Sequence, residues 1–322
     1  MYCVIILFLL VLLLKTTSIV CTRNVIFVQA LWGIGNRLRT IRKTCSLAKH
    51  LNRDVVIIDH VDDGLKVPMK AFFGVRTIHM PLLVFKIFYE PYCAHFIFND
   101  QCTLKHDVSV FESVGRKNIF IKACELNIKG VDMDDRSIYK TWKPMIDDKS
   151  KRIIKSIKKH KRVVGVHIRQ GNVNDWDRGY FFNDEWKDIK TRQPDSAPHF
   201  CCYDSKNKNL SSCTSNIQPL EQFISKMKEY PTDTYFYVCS DRVGCIIHLY
   251  QLFPGKIISN DIEMETAKLD IYKSMQDFIC LSECNEMIVS DISSFSDESR
   301  RIHNIPVNKI TKKNKANKDK IK

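Results

Sequence analysis

Val163-Val164-Gly165-Val166-His167-Ile168-Arg169-Gln170-Gly171-Asn172 is an apolar run that ends in a cation and then in turn formers. Such a run reads as a buried parallel strand, and in open α/β sheets ligands sit beyond the carboxyl ends of such strands. Arg169 therefore stands where an anionic ligand would bind, and a guanidinium there can grip a phosphate in a bidentate fork. The competing reading is an edge-of-sheet arginine paired with a carboxylate, since arginine is rarely buried without a partner. The stretch by itself leaves both open.

Outward from it, strands and helices alternate. A Lys-rich helix over 147–161 leads into strand 162–168, and helix 219–229 follows a long loop. Strand 234–239, ending at Ser240-Asp241, then helix 242–252, a short strand at 256–258, helix 264–281 and strand 286–290 complete the series. This spacing predicts a parallel sheet. Near the amino terminus Asn24–Val28 reads as a strand, Gly33-Ile34-Gly35-Asn36 as a turn, Arg37–Leu51 as a helix and Asp54–Asp59 as a second strand, the opening of a doubly wound domain. Residues 67–143 are aromatic-rich and less periodic, and their elements have no clear order. The expectation is an α/β chain of two domains, 23–150 and 151–307, with parallel sheets facing a cleft where a ligand would sit.

The ends of the chain differ from its body. Cys3–Leu14 is an uncharged, mostly aliphatic segment followed by Lys15. It has the length of a signal-peptide core and falls short of the roughly 18 residues that cross a bilayer. Residues 1–22 are accordingly expected to be a cleaved signal or a short anchor, giving a secretory-pathway location, with membrane association if the segment is retained. Of the net charge of +14, the last fifteen residues, 308–322, supply +6 and leave about +8 on the body. That tail is expected to be disordered. A basic body suits a nucleotide, a nucleic acid or a membrane surface, and charge does not choose among them.

The chain has thirteen cysteines. Cys201, Cys202 and Cys213 cluster in a polar loop that a disulfide could staple, and Asn209-Leu210-Ser211 in the same loop is a glycosylation sequon. Without a C-x-x-C pair, zinc is disfavoured. Cys239, Cys245 and Cys280 lie in apolar segments and read as core thiols.

Four strand-to-helix junctions carry candidate chemistry. Gly33-x-Gly35-Asn36-Arg37 lets backbone approach a ligand and offers helix amides to an anion. His167-x-Arg169 is followed by Asp175-Trp176-Asp177, where one carboxylate could be a general base or both could be solvated. Asp241 could cap a helix or accept hydrogen bonds from a base or ribose. Ser293, Ser294 and Ser296 stand at a helix start, where hydroxyls cap amides or share them with a phosphate.

In this order the segments resemble the fucosyltransferase superfamily of protein O-fucosyltransferases, α1,6-fucosyltransferases and nodulation enzymes. Gly33-Ile34-Gly35-Asn36-Arg37-Leu38 is similar to its G-x-G-N loop, His167-Ile168-Arg169 to its H-x-R motif and Tyr237–Asp241 to its strand ending in T/S-D. Asp277-Phe278-x-x-Leu281-Ser282-x-Cys284, running on to Ser293-Ser294-Phe295-Ser296, is similar to its D-x-x-L-L-S-x-C and S-S-F-S/T signature. The resemblance spans 25–302 and finds no match over 65–150.

What it implies is a GT-B enzyme of two Rossmann-like domains that transfers fucose from GDP-fucose to a glycan or glycoprotein, with inversion and without metal or cofactor. Arg169 would hold the departing β-phosphate, and His167 would contact the nucleotide or orient the loop. Asp241 would read guanine or ribose, and Ser293, Ser294 and Phe295 would cradle phosphate and wall the sugar. Gly33, Gly35, Asn36 and Arg37 would complete the substrate site, with Asn36 beside the reacting centre. Asp177 is the expected base, and Asp175-Trp176 is similar to the D-W of the protein O-fucosyltransferases. Gln170 replaces a second arginine found in several members, so further neutralisation would come from Arg37, Arg242 or Arg300. Three alternatives stand: another nucleotide-sugar donor, a degenerate GT-B module that binds without turnover, and a basic nucleic-acid binder. The last leaves the glycine loop and the serine signature unexplained, so no nucleic-acid partner is expected.

Overall fold

The computed structural model describes residues 24–59, 69, 78–97, 103–141, 146, 148–169, 180–182, 185–187, 220–240, 243–260, 271–291 and 293–310. The chain divides into two units, Met1–Pro144 and Met145–Lys322. The division falls six residues before the expected boundary, because the Lys-rich helix packs with the second unit.

In the first unit, β1 (Val25–Ala30) is followed by α1 (Ile34–His50), β2 (Asp54–Asp59), β3 (Ile78–Pro81), α2 (Leu82–Phe88) and β4 (Cys93–Ile97). Then come β5 (Thr103–Asp107), α3 (Val108–Glu112), β6 (Asn118–Ala123) and β7 (Glu125–Lys129). The main sheet has the order β3-β2-β1-β6-β4 with every pair parallel, and β5 pairs β7 separately. All six residues of β1 are buried, as a central strand covered on both faces requires. Val25 and Phe27 pack with Phe85 and Tyr89 on one face, while Ile26 packs with Leu47 and Ala48 of α1 on the other. The stretch that sequence periodicity left unordered supplies three of the five main strands: β6 inside the sheet and both of its edges, β3 and β4.

The second unit runs α4 (Asp148–Lys159), β8 (Val163–Ile168), a hairpin of β9 (Tyr180–Phe182) and β10 (Glu185–Lys187), α5 (Leu220–Lys228) and β11 (Tyr235–Ser240). It ends with α6 (Val243–Leu252), β12 (Ile257–Ile258), α7 (Ile271–Ser282), β13 (Glu286–Ser290), α8 (Ser294–His303) and β14 (Val307–Ile310). The sheet order is β12-β11-β8-β13-β14, all parallel. This is the 3-2-1-4-5 winding of a nucleotide-binding half, with the reversal of strand order between β8 and β13.

Alternation along β8 explains the layers. Val164, Val166 and Ile168 face a core shared with α5 and α6, while Val163 faces Ile153 and Ile157 of α4 and Leu281 of α7. Gly165 lies on that second face, where a Cβ would stand 2.7 Å from Leu281 Cδ1 and 3.3 Å from Cys284 Sγ. Glycine is there because α7 comes too close for a side chain.

Two expectations are corrected. The glycine segment is not a separate turn before the helix: α1 already begins at Ile34, with Gly33 as its N-cap residue. The tail does not begin at 308 either, because Val307–Ile310 pairs in parallel with β13 as an edge strand and Ile310 is buried. The rest of that segment, 311–322, lies outside the described residues, as do the 1–22 segment and the Cys201–Cys213 cluster with its sequon. The seven described cysteines are thiols, and Cys239, Cys245 and Cys280 are buried as expected. No helix among the described residues is long and apolar enough to cross a membrane.

Candidate functional site

The reversal of strand order places the carboxyl ends of β8 and β13 side by side, and two backbone-to-hydroxyl links fasten the end of β8 to its neighbours. The backbone N–H of Arg169 donates to Ser290 Oγ at 2.9 Å. On the other side of β8, Ser240 Oγ donates to the Ile168 carbonyl at 2.9 Å. One helix further on, Ser299 Oγ donates to the Phe278 carbonyl at 2.9 Å and ties α8 to α7. The H-x-R residues are thus held from both neighbouring strands. Ser240 and Ser290 were missed in the sequence as site-forming residues. The available signal was a serine as last residue of each strand flanking the H-x-R strand.

His167 points to the same face as Gly165 and is 7 % exposed. Its ring stacks on Phe295 at 5.0 Å and 29°, and Phe295 in turn meets Phe278 edge-on at 5.2 Å. Burial, with Arg169 close by as a second cause, pushes the His167 pKa down to about 3. The imidazole is therefore neutral at physiological pH. Its Nδ1 has no hydrogen-bond partner among the described residues. A neutral ring with an unused nitrogen can accept or donate one hydrogen bond to a ligand.

α8 begins where β13 ends. Ser293 occupies the N-cap position with extended backbone, yet its side chain makes no capping bond. The plain serine cap is therefore not what this residue forms, and Ser293, Ser294 and Phe295 are all part-exposed. A depression beside it is lined by Ser290, Asp291, Ser293, Asp297, Arg300 and Lys309, among others. Arg300 is engaged locally, its Nε donating to Asp297 Oδ1 at 2.9 Å. Of the three cations expected to assist Arg169, Arg300 is paired in this way and Arg242 lies outside the described residues.

Arg37, the third, is in the first unit and performs another task. It is 0 % exposed, and its Nε donates to the Trp32 carbonyl at 2.6 Å. Trp32 has φ of 70°, a left-handed conformation that costs roughly 1–3 kcal/mol outside glycine. Arg37 thus holds the loop between β1 and α1 in a strained shape. Next to it, a Cβ on Gly33 would meet none of the described residues within 4 Å, and Gly35 is buried while Asn36 is part-exposed.

Asp277, part of the D-x-x-L-L-S-x-C signature, turns out to be internal wiring. Tyr237 Oη donates to its Oδ1 at 2.7 Å, and Asn260 Nδ2 donates to the same oxygen. This joins β11, α7 and the segment after β12. The expected base, Asp177, lies outside the described residues, as do Asp175, Gln170 and Asp241. Among the described residues no group of three or more His, Cys, Asp or Glu side chains is arranged to hold a metal ion.

No protein-family model matches the chain, and no curated protein sequence does. Solved structures do. NodZ α-1,6-fucosyltransferase soaked with GDP-fucose aligns over 88% of this chain and 94% of its own, with a TM-score of 0.52 and 16% identity. A mutant of Arabidopsis thaliana FUT1 in complex with GDP aligns over 91% of this chain and 71% of its own, with a TM-score of 0.51 and 12% identity. The fucosyltransferase NodZ from Bradyrhizobium gives 86% and 92% coverage, a TM-score of 0.50 and 16% identity. At such identities the likeness is one of architecture. With its two parallel α/β units, the chain has the GT-B-like fold of these fucosyltransferases.

Proposed function

We propose that this chain is a glycosyltransferase that moves fucose from GDP-fucose to a glycan or protein acceptor, inverting the anomeric centre without a metal. The observation that carries the proposal is the junction of β8 and β13. Arg169 emerges at the strand-order reversal, is fastened to Ser290 and lies one strand from a helix start whose N-cap hydroxyl makes no capping bond. A diphosphate leaving group needs a cation and helix amides where its charge grows as the glycosidic bond breaks.

In this reading Arg169 and the first-turn amides of α8 take up the β-phosphate charge. Neutral His167 offers one hydrogen bond to the nucleotide while its stack on Phe295 fixes the wall of the sugar pocket. Ser293 and Ser294 share their hydroxyls with phosphate, and Asp241 reads guanine or ribose. In the first unit, Gly33, Gly35 and Asn36 serve the acceptor, and Arg37 acts as a positioning residue through Trp32. Asp177 takes the acceptor's proton on the face opposite the departing phosphate, as inversion requires. The amino-terminal segment directs the chain into the secretory pathway, where the Cys201–Cys213 loop forms a disulfide.

The direct test is turnover: release of GDP from GDP-fucose, with and without a panel of glycan and glycopeptide acceptors, against GDP-mannose and a UDP-sugar. A specific observation favours one second reading. Arg300 is committed to Asp297 and Arg37 is buried on Trp32, which leaves fewer cations for a diphosphate than the sequence offered. A module that binds GDP-fucose and never releases GDP would be the signature of that reading.

A further inference from the structure

The basic charge of this protein is concentrated. Residues 148–162 hold eight Lys and Arg and one Asp. They carry +7 of the body's +8 or so, and the remainder is close to neutral. α4 turns that charge to one side. Ser150, Ile153 and Ile157 are buried, and Lys151, Arg152, Lys155, Lys158 and Lys159 are exposed. At 3.6 residues per turn the exposed cations fill an arc of about 120° opposite the buried stripe.

Part of this charge is balanced. Lys158 pairs with Glu283 at 2.9 Å, and Arg162 pairs with Glu286 at 2.6 Å. Among the described residues, Arg152, Lys155, Lys159 and Lys161 have no acidic partner. Lys256 extends the surface: its Nζ lies 4.6 Å from the centroid of Tyr235, whose ring stacks on His160 at 3.5 Å. Arg152, Lys155 and Lys159 follow one line along the helix with steps of about 4.5–6 Å at 1.5 Å per residue, close to the advance of one sugar ring in a polysaccharide.

We propose that this face of α4 binds a linear sulfated polysaccharide. The choice of partner rests on the reading of the chain as a secretory glycan-modifying enzyme; the existence of the polyanion surface does not. A lipid bilayer fits the face less well, because an interfacial helix needs exposed Leu, Phe or Trp, and Ile154 packs into the core instead. Single-stranded nucleic acid would need aromatic platforms repeated along the row, and among the described residues the stacked rings beside it are His160 and Tyr235 at one end. Rows of lysine and arginine without apolar neighbours suit sulfate groups on a hydrated chain.

The experiment uses the full chain, a triple variant Arg152→Glu/Lys155→Glu/Lys159→Glu, and a chain ending at Ile310 that lacks the remainder of the basic tail. Each is titrated with a heparin octasaccharide, a 20-base-pair DNA duplex, and vesicles of phosphatidylserine and phosphatidylcholine at physiological salt. The expected result is heparin binding at least ~10-fold weaker in the triple variant, retained in the shortened chain, and screened as salt rises. Absent heparin binding, binding lost only with the tail, or DNA or vesicles bound as tightly as heparin would each overturn the proposal. GDP titration of the same samples runs in parallel. GDP binding kept by the triple variant shows an intact fold, and its absence from the full chain strikes the donor-site reading without touching the heparin result.

Discussion

The N–H of Arg169 and the hydroxyl of Ser290 meet at 2.9 Å across the point where strand order reverses. This bond fixes the backbone from which the guanidinium departs, so Ser290 governs Arg169 by position. Ser290→Ala should cost about 1 kcal/mol of stability, the net worth of a typical hydrogen bond, and weaken GDP binding by severalfold. Ser290→Thr should restore both. Equal GDP affinity in the wild type and Ser290→Ala would show that the loop holds itself.

His167 gives a pH signature. Its folded pKa of about 3 lies below the ordinary value of 6.5, so the unfolded chain takes up a proton that the folded chain refuses. The stability associated with this group is fully present above pH 6.5 and is lost progressively as pH falls towards 3. Between pH 6.5 and 5, before carboxylates interfere, the slope approaches about 1.4 kcal/mol per pH unit from this group. His167→Phe keeps the ring against Phe295 and should remove that component, measured by urea denaturation across the interval. An unchanged slope would mean that the imidazole binds its proton equally in the folded and unfolded chains.

Two glycines should behave in opposite ways. Gly165→Ala drives a methyl to 2.7 Å from Leu281 Cδ1 and should destabilise by roughly 1–3 kcal/mol through overpacking. Gly33→Ala meets none of the described residues within 4 Å and has φ of −65°, so stability should change little. Its methyl would instead fill the space in front of the loop, and transferase turnover should fall. Denaturation curves beside activity separate the two effects.

Arg37→Ala removes a fully buried side chain and the bond that supports strained Trp32. Destabilisation of about 2–4 kcal/mol is expected from the cavity and the unmade hydrogen bond. Arg37→Lys should recover only part of it, since a lysine lacks the planar fork. Full stability in Arg37→Ala would remove the loop-holding role.

Asp177→Asn should lower kcat by roughly 10²–10⁴-fold, the usual weight of a general base, and leave GDP affinity alone. The same loss in Asp175→Asn, with Asp177→Asn unaffected, would transfer the role to Asp175.

Much of the second unit was legible because its central strands are continuous apolar runs and α4 and α5 each carry an apolar stripe. Strand 286–290 and the cores of β8 and β11 emerged directly from that pattern. β3, β4 and β6 of the first unit were not legible: β3 and β4 are short and only partly buried, and β6 sets Ile119-Phe120-Ile121 between polar Asn118 and Lys122. Edge strand β14, with Lys309 half-exposed, looked like the start of a polar tail because one buried isoleucine gives no period at all. Of the cations expected to assist Arg169 at the candidate site, Arg37 and Arg300 are committed elsewhere. Whether an arginine meets a ligand or its own loop depends on a residue five positions away, as Arg37 and Trp32 show, and composition carries no trace of that choice. The serines that lock the strand ends were visible, but their pairing depends on sheet order.

The central claim is a GDP-sugar site built around Arg169. Calorimetric titration of the full chain with GDP, GDP-fucose, GDP-mannose and UDP, beside Arg169→Ala, tests it most directly. Binding of GDP and GDP-fucose in preference to UDP is expected, with its loss in Arg169→Ala while the fold stays intact. A well-folded chain that binds no nucleotide, or binds equally with and without Arg169, would contradict it.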